Sequence, residues 1–233
     1  GGHSSPVNQQ GIKMMEDLYF KTNEMARNFA IKRKKVYEKL LNKNLSKILD
    51  VGCGPGVFYK PWKDLNTQWA GIDINPYWKK FGEKNKIPIS NTPLNTITDR
   101  FDVVTAHQVI EHVESPLKFM EKIITLVNPG GLIHLELPNQ NSFTASLRKI
   151  SPHFSNDYGF IQPPMHLRAY RDTTLKYLFK SLGLETKMLS VSGNTDKIWG
   201  QVREYSLAQR VIYTSAGGIG MGSLLIGIAQ LNS

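Results

Sequence analysis

The sequence predicts an α/β fold, a doubly wound and mostly parallel sheet with helices on both faces. Three observations predict it. Short apolar runs of strand character alternate with helical patterns through the middle of the chain. The first of these runs, Ile48 to Val51, passes directly into a glycine-rich turn, Gly52-Cys53-Gly54-Pro55-Gly56. Twice, at Asn75-Pro76 and Ser115-Pro116, a cap residue followed by proline marks a helix start after such a run.

Taken in order, residues 1 to 8 resemble a remnant of an expression vector and are set aside, leaving 9–233 as one domain. Residues 12 to 42 read as a helical cap, broken near Lys21 to Asn23, with Met25, Phe29, Val36 and Leu40 on one face. Strand 47 to 51 and the turn follow, then a short helix that Pro61 must end, kink or restart. Trp69 to Ile74 is a second strand, and Asn75-Pro76 opens a helix to about Asn85. Ile87 to Ser90 and Phe101 to Ala106 are the third and fourth strands. Ser115-Pro116 launches a helix over Leu117 to Val127, stopped by Asn128-Pro129-Gly130-Gly131, and Leu132 to Leu137 is the fifth strand. Residues 138 to 170 break the rhythm with prolines, aromatics and two histidines, the composition of a structured loop over a site. Asp172 is expected to cap a helix over Thr173 to Leu182, with Gly183 at its end. Thr186 to Val191 is a strand, 197 to 213 a helix, and Ser223 to Gln230 a last strand, antiparallel to the rest.

Composition narrows the function classes without choosing one. A chain of 233 residues with 40% hydrophobic and 21% charged residues can bury one sizeable core. The single cysteine, Cys53, permits no internal disulfide and no cysteine metal cluster, which favours a reducing, cytoplasmic setting. No apolar run approaches the roughly 18 residues of a membrane span. The net charge of +10 suits an anionic partner, and residues 13 to 47 hold ten Lys or Arg against four acids. The plainer reading of that run, and the one taken here, is a solvated helix face.

The turn carries the first chemical signal. A dinucleotide fingerprint would need glycine at 57, where the chain has Val57. The pattern is instead G-x-G-x-G, with Asp50 inside the preceding strand and Asp73 at the end of the next. A carboxylate at that second strand end can accept the hydroxyls of a ribose, because adjacent strand ends lie side by side above the turn.

D-V-G-C-G-P-G followed by G-I-D-I resembles the first two motifs of the class I methyltransferases that use S-adenosylmethionine. F-D-V-V-T-A at 101 to 106, the Glu111-His112 pair, N-P-G-G at 128 to 131 and L-I-H-L-E-L fall where that family has its fourth strand, following loop, turn and fifth strand. The resemblance implies a Rossmann-like seven-stranded sheet, S-adenosylmethionine as cofactor and S-adenosylhomocysteine as product. It also implies a cofactor site drawn from Asp50, Gly52, Cys53, Gly54, Asp73, Ile74, Asn91 and His107. Asp50 and the glycines would surround the methionine moiety, Asp73 would hold the ribose and Ile74 would pack on the adenine. Ser90 or Asn91 stands where the family often has an acid for the adenine amino group.

Two further segments are similar to the ubiquinone-biosynthesis O-methyltransferases and to small-molecule methyltransferases close to them. H-Q-V-I-E-H, His107 to His112, resembles their E-x-x-E-H, whose acids and histidine are associated with a divalent cation. Gln108 replaces the first glutamate, so the reading here is a hydrogen-bonding loop over the cofactor, with no metal ligands assigned. Pro164-Met165-His166-Leu167 with Tyr170 is similar to the P-x-H-L-x-x-F segment that small-molecule methyltransferases close to that group carry beside the substrate pocket, with tyrosine for phenylalanine. His166 and His112 are therefore the candidate bases for an oxygen acceptor, and His134, inside a strand, is a packing residue. Arg148, Lys149, Arg168 and Arg171 would suit a phosphate or carboxylate on the acceptor, or are surface residues. The expected function is methyl transfer to a hydroxyl, less readily an amine, of a small molecule such as a sugar or phosphorylated metabolite. Methylation of RNA or protein, and cofactor binding without catalysis, are the alternatives.

Overall fold

The computed structural model describes residues 9–21, 23–143, 145–146, 167–193, 196, 198 and 206–232. The alternating apolar runs become seven strands: β1 (Lys47–Val51), β2 (Gln68–Ile72), β3 (Ile89–Ser90), β4 (Phe101–His107), β5 (Val127–Pro138), β6 (Glu185–Ser192) and β7 (Leu224–Gln230). They form one sheet in the order β3-β2-β1-β4-β5-β7-β6. β1 to β5 pair in parallel, and β7 runs antiparallel to both β5 and β6. The doubly wound, mostly parallel architecture read from the sequence is therefore present. Order reverses between β1 and β4, and in such sheets ligands bind beyond the carboxyl ends of the strands at that point.

Helices cover both faces. On one lie α1 (Gln9–Lys21), α2 (Asn23–Leu41), α3 (Tyr59–Asp64) and α4 (Pro76–Asn85); Ala30, Tyr37, Trp62, Trp78 and Phe81 pack there with Ile48, Val103 and Leu132 of the sheet. On the other lie α5 (Pro116–Thr125) and α6 (Asp172–Ser181), whose Met120, Ile123, Leu175 and Phe179 meet Leu49, Val104, Ile133 and Leu135. α7 (Leu207–Gly218) precedes β7. Among the described residues no helix is long and apolar enough to cross a membrane.

The cap signals act as expected at two helix starts. Asn75 accepts the Tyr77 N–H at 3.0 Å and Ser115 accepts that of Lys118 at 3.5 Å, each with proline at the first helical position. Other expectations need correction. The buried face of α2 is Ala26, Phe29, Ala30, Arg33 and Tyr37, whereas Met25, Val36 and Leu40 are half-buried flanks. Pro61 neither ends nor kinks α3, because it sits in the first turn, where its missing N–H would have no partner within the helix. Asn128-Pro129-Gly130-Gly131 does not stop α5, which has ended at Thr125; these residues bulge within β5, between Val127 opposite Phe101 and Leu132 opposite Val103. Asp172 is the first helical residue of α6 and Arg171 its cap, so the acid acts on the helix dipole rather than by side-chain capping. The last helix runs from Leu207, where Ser206 and Gln209 form a reciprocal capping box; of the expected span 197–213, residues 197 and 199–205 lie outside the described residues.

Candidate active site

β1 delivers the chain to the glycine turn at the switch point. Gly52 and Gly54 have φ of 72° and 53°, in the left-handed region that a side chain resists. Gly52 is also crowded: a Cβ there would lie 2.4 Å from Val109 Cγ2, so the loop after β4 rests directly on the turn. The Gly52 and Cys53 N–H groups donate to Ile72 O at 2.8 and 3.1 Å, which ties the turn to the end of β2.

Asp73 completes that tie. One carboxylate oxygen accepts the Gly54 N–H and the other the Asn75 N–H, each at 2.9 Å. Burial raises its pKa, against the pull of those two N–H groups. Next to it Ile74 is 91% exposed, an apolar side chain left standing at the edge of the sheet. Asn91 closes the row by donating from Nδ2 to the carbonyls of Asp73 and Ile74, both at 2.8 Å. Asp50 lies beneath the turn, buried, and accepts the Thr105 hydroxyl at 2.9 Å. Burial pushes its carboxyl up to about 6, with the Thr105 hydrogen bond opposing. Burial, then the charges of Asp50 and Asp73, pushes the Cys53 thiol up, so it stays protonated and unreactive.

At the end of β4, His107 turns toward α2, with Phe58 edge-on at 6.2 Å between ring centroids. Its neighbours form a buried polar network. Arg33 Nη2 meets Glu136 Oε1 at 2.8 Å, the Tyr37 hydroxyl and His134 Nδ1 are 2.6 Å apart, and His134 Nε2 lies 3.3 Å from Glu136 Oε1. Burial lowers the pKa of His134 and brings that of His107 down to about 3, so both rings are neutral at pH 7. Sequence reasoning placed His134 in the packing, as observed, and missed Arg33, Tyr37 and Glu136. The available signal was His134 and Glu136 two apart on a strand, which puts both on one face.

His112 is half exposed, with Nε2 3.9 Å from Glu111 Oε1. Glu111 itself is buried. The other candidate base, His166, lies outside the described residues, as do Arg148 and Lys149. Arg168 donates to Glu114 O at 2.6 Å, which spends its guanidinium on the loop that precedes α5.

A divalent cation fits these residues poorly. Around Gln108, Glu111 and His112 the donor set offers one carboxylate where a hard cation takes several charged oxygens. His107, His134 and Glu136 place three ligand-type atoms within 4.8 Å of one another, but the Glu136 carboxylate already faces the Arg33 guanidinium. A nucleoside cofactor fits well. The left-handed glycines leave room at the strand end, Asp73 is fixed beside them, and Ile74 offers an exposed apolar ledge.

The sheet order, with a glycine turn at the switch point and an acid at the next strand end, is that of the class I methyltransferases. The chain belongs to the family described as "Methyltransferase domain", whose profile matches residues 24–188. It is 30% identical over 149 residues to a ubiquinone biosynthesis O-methyltransferase of Leptothrix cholodnii, covering 55% of this chain and 63% of that one. It is 33% identical over 104 residues to the enzyme of the same name from Cereibacter sphaeroides, covering 41% and 42%. The matched segments thus span less than two thirds of these relatives. The plantazolicin methyltransferase BpumL, solved in complex with SAH, superposes with a TM-score of 0.67 at 16% identity over 97% of this chain and 92% of that one. A SAM-dependent methyltransferase from Archaeoglobus fulgidus gives 0.63 at 20% identity, over 93% and 98%. At these identities the two structures testify to the fold.

Proposed function

We propose that the enzyme methylates a hydroxyl of a small molecule, with the cofactor held along the row Gly52, Gly54, Asp73, Ile74 and Asn91. The observation that carries the placement is Asp73. Its two oxygens accept one backbone N–H each, and a carboxylate has about four lone-pair sites, so room remains for two ribose hydroxyls. Ile74 then supplies the apolar face for a base, and the neutral His107 borders the reacting end. The similarity to O-methyltransferases supports oxygen as the acceptor atom.

S-adenosylmethionine, when bound, supplies a methyl group already activated on sulfonium. The chain's own residues then need to orient the acceptor, exclude water and receive a proton. Orientation falls to the loop after β4, pinned on the turn through Val109 and Gly52, and to the substrate-side segment whose Leu167 and Arg168 N–H groups donate to Glu111 O at 3.0 and 3.3 Å. A hydroxyl must lose its proton as it attacks, and His112 stands at this edge, open to solvent.

Transfer of a labelled methyl group to catechol, to a hydroxylated sugar phosphate and to an aromatic amine tests the reading. Label is expected on the oxygen acceptors. Label on the amine alone, with S-adenosylhomocysteine binding intact by calorimetry, overturns the oxygen assignment.

A further inference from the structure

Glu111 is a buried carboxylate just past the end of β4 that the proposed function leaves without a role. It is 1% exposed, and among the described residues no other residue donates a hydrogen bond to either side-chain oxygen. Carboxylates are rarely buried without a partner, since the ionised form gives up its hydration for nothing. A structural role would not need the charge. What fixes Glu111 is its backbone: it belongs to a 3-10 turn, Ile110–His112, two residues past the Val109 that rests on Gly52. Its carbonyl accepts the Leu167 and Arg168 N–H groups, and the Tyr170 hydroxyl reaches the neighbouring Ile110 carbonyl at 3.5 Å. The turn that carries Glu111 thus lies between the glycine turn and the returning end of the substrate-side segment, with the carboxylate enclosed there beside His112.

We propose that Glu111 is the catalytic base of this methyltransferase: its carboxylate receives the proton of the acceptor hydroxyl. The inference rests on the oxygen-acceptor reading. The acceptor O–H bond breaks toward Glu111 while the oxygen bonds to the methyl carbon. The carbon–sulfur electron pair returns to sulfur, so sulfonium and carboxylate charges disappear together. The protonated Glu111 then passes its proton to His112, whose Nε2 is 3.9 Å away and which opens to solvent.

Three physical features agree with that role. Burial pushes the Glu111 carboxyl up to about 7, against a smaller opposing pull from its own backbone N–H, which matches a base that must both take and release a proton near neutrality. Among the described residues the ionisable groups near it are His112, the Tyr170 phenol and Arg168. The Tyr170 phenol is pushed up to about 12 by burial and stays protonated, and the Arg168 guanidinium is turned away to Glu114 O. Among the described residues no fixed cation therefore quenches the carboxylate.

The test uses the whole chain. In isotope-edited infrared spectra of protein labelled at glutamate carboxyls, one protonated carboxyl is expected to titrate near neutral pH, and to be missing from Glu111→Gln. Glu111→Gln should bind S-adenosylhomocysteine within about threefold of the unaltered enzyme, melt no lower, and lose at least about 100-fold in kcat on catechol. His112→Ala should slow turnover less and make it depend on buffer concentration, as external bases replace the exit route. A Glu111→Gln enzyme within threefold of normal kcat, or the absence of the titrating carboxyl, overturns the inference. Catechol left unmethylated by the unaltered enzyme counts against the acceptor class instead, and the infrared titration then decides the role of Glu111.

Discussion

Asp73 shows how much one residue can settle at this site. It holds Gly54 and Asn75 whether or not a ligand is present, so a ribose would meet a carboxylate already fixed in place. Asp73→Ala is expected to weaken S-adenosylhomocysteine binding by at least about 100-fold, roughly 3 kcal/mol, the scale of two hydrogen bonds to a charged group. Calorimetry measures the loss, and circular dichroism should show an unchanged fold; unchanged affinity would remove Asp73 from the ribose site. Its position was legible in the sequence because it is set locally, an acid at a strand end 23 positions after another, beside a glycine turn. Glu111 was visible as half of a Glu111-His112 pair, yet its burial was not. Whether a loop carboxylate is hydrated or enclosed depends on what folds over it, here residues 167 to 170, more than 50 positions away.

Among the elements, the strands and capped helices were the readable part, since apolar runs, Asn-Pro and Ser-Pro act within a few residues. The errors fall where tertiary contacts outrank local pattern. Asn128-Pro129-Gly130-Gly131 has the composition of a helix stop, but Gly130 and Gly131 exchange hydrogen bonds with Leu231 and so belong to the sheet. The basic helix α2 was equally ambiguous, because a charge run reads as a solvated face. Arg33 is instead buried against Glu136, flanked by Phe29 and Phe58 at 5.5 and 5.0 Å. Removing one member of a buried pair strands the other. Arg33→Met is therefore expected to lower stability by about 3–5 kcal/mol in urea unfolding, and adding Glu136→Met to recover most of it. Equal stability of the single variant and the unaltered chain would show that Glu136 is hydrated in solution.

For the whole molecule, buried ionisable groups set opposing responses to pH. Glu111 and Asp50 have folded pKa values near 7 and 6, raised by burial, so the stability they allow in protonated form is present at acid pH and lost as pH rises through those values. His107 and His134, lowered by burial, work the other way, costing stability as pH falls below about 6.5. Asp102 adds to the acid loss. Despite its burial, Lys43, the Ser46 hydroxyl and the N–H groups of Ser46 and Lys47 hold its pKa well below the usual range. A shallow maximum between these limits is expected. The Glu111→Gln chain should equal the unaltered one near pH 4 and exceed it by about 3 kcal/mol above pH 7, read from urea unfolding at both pH values. A pH-independent difference would place the ionisation elsewhere.

The network that joins α2 to β5 also bears on the order in which the molecule assembles. Tyr37 and His134 are 97 positions apart, and the Arg33 bond to Ile198 O spans 165. During synthesis the basic helix emerges long before its partners exist, and it can dock only after β5 has been laid beside β4. Contacts of such separation close late, after most of the loop entropy has been spent elsewhere. In stopped-flow measurements the Arg33→Met change should accordingly appear as faster unfolding with little effect on refolding. The buried network beside His107 would then be the last part of the molecule to form and the first to open.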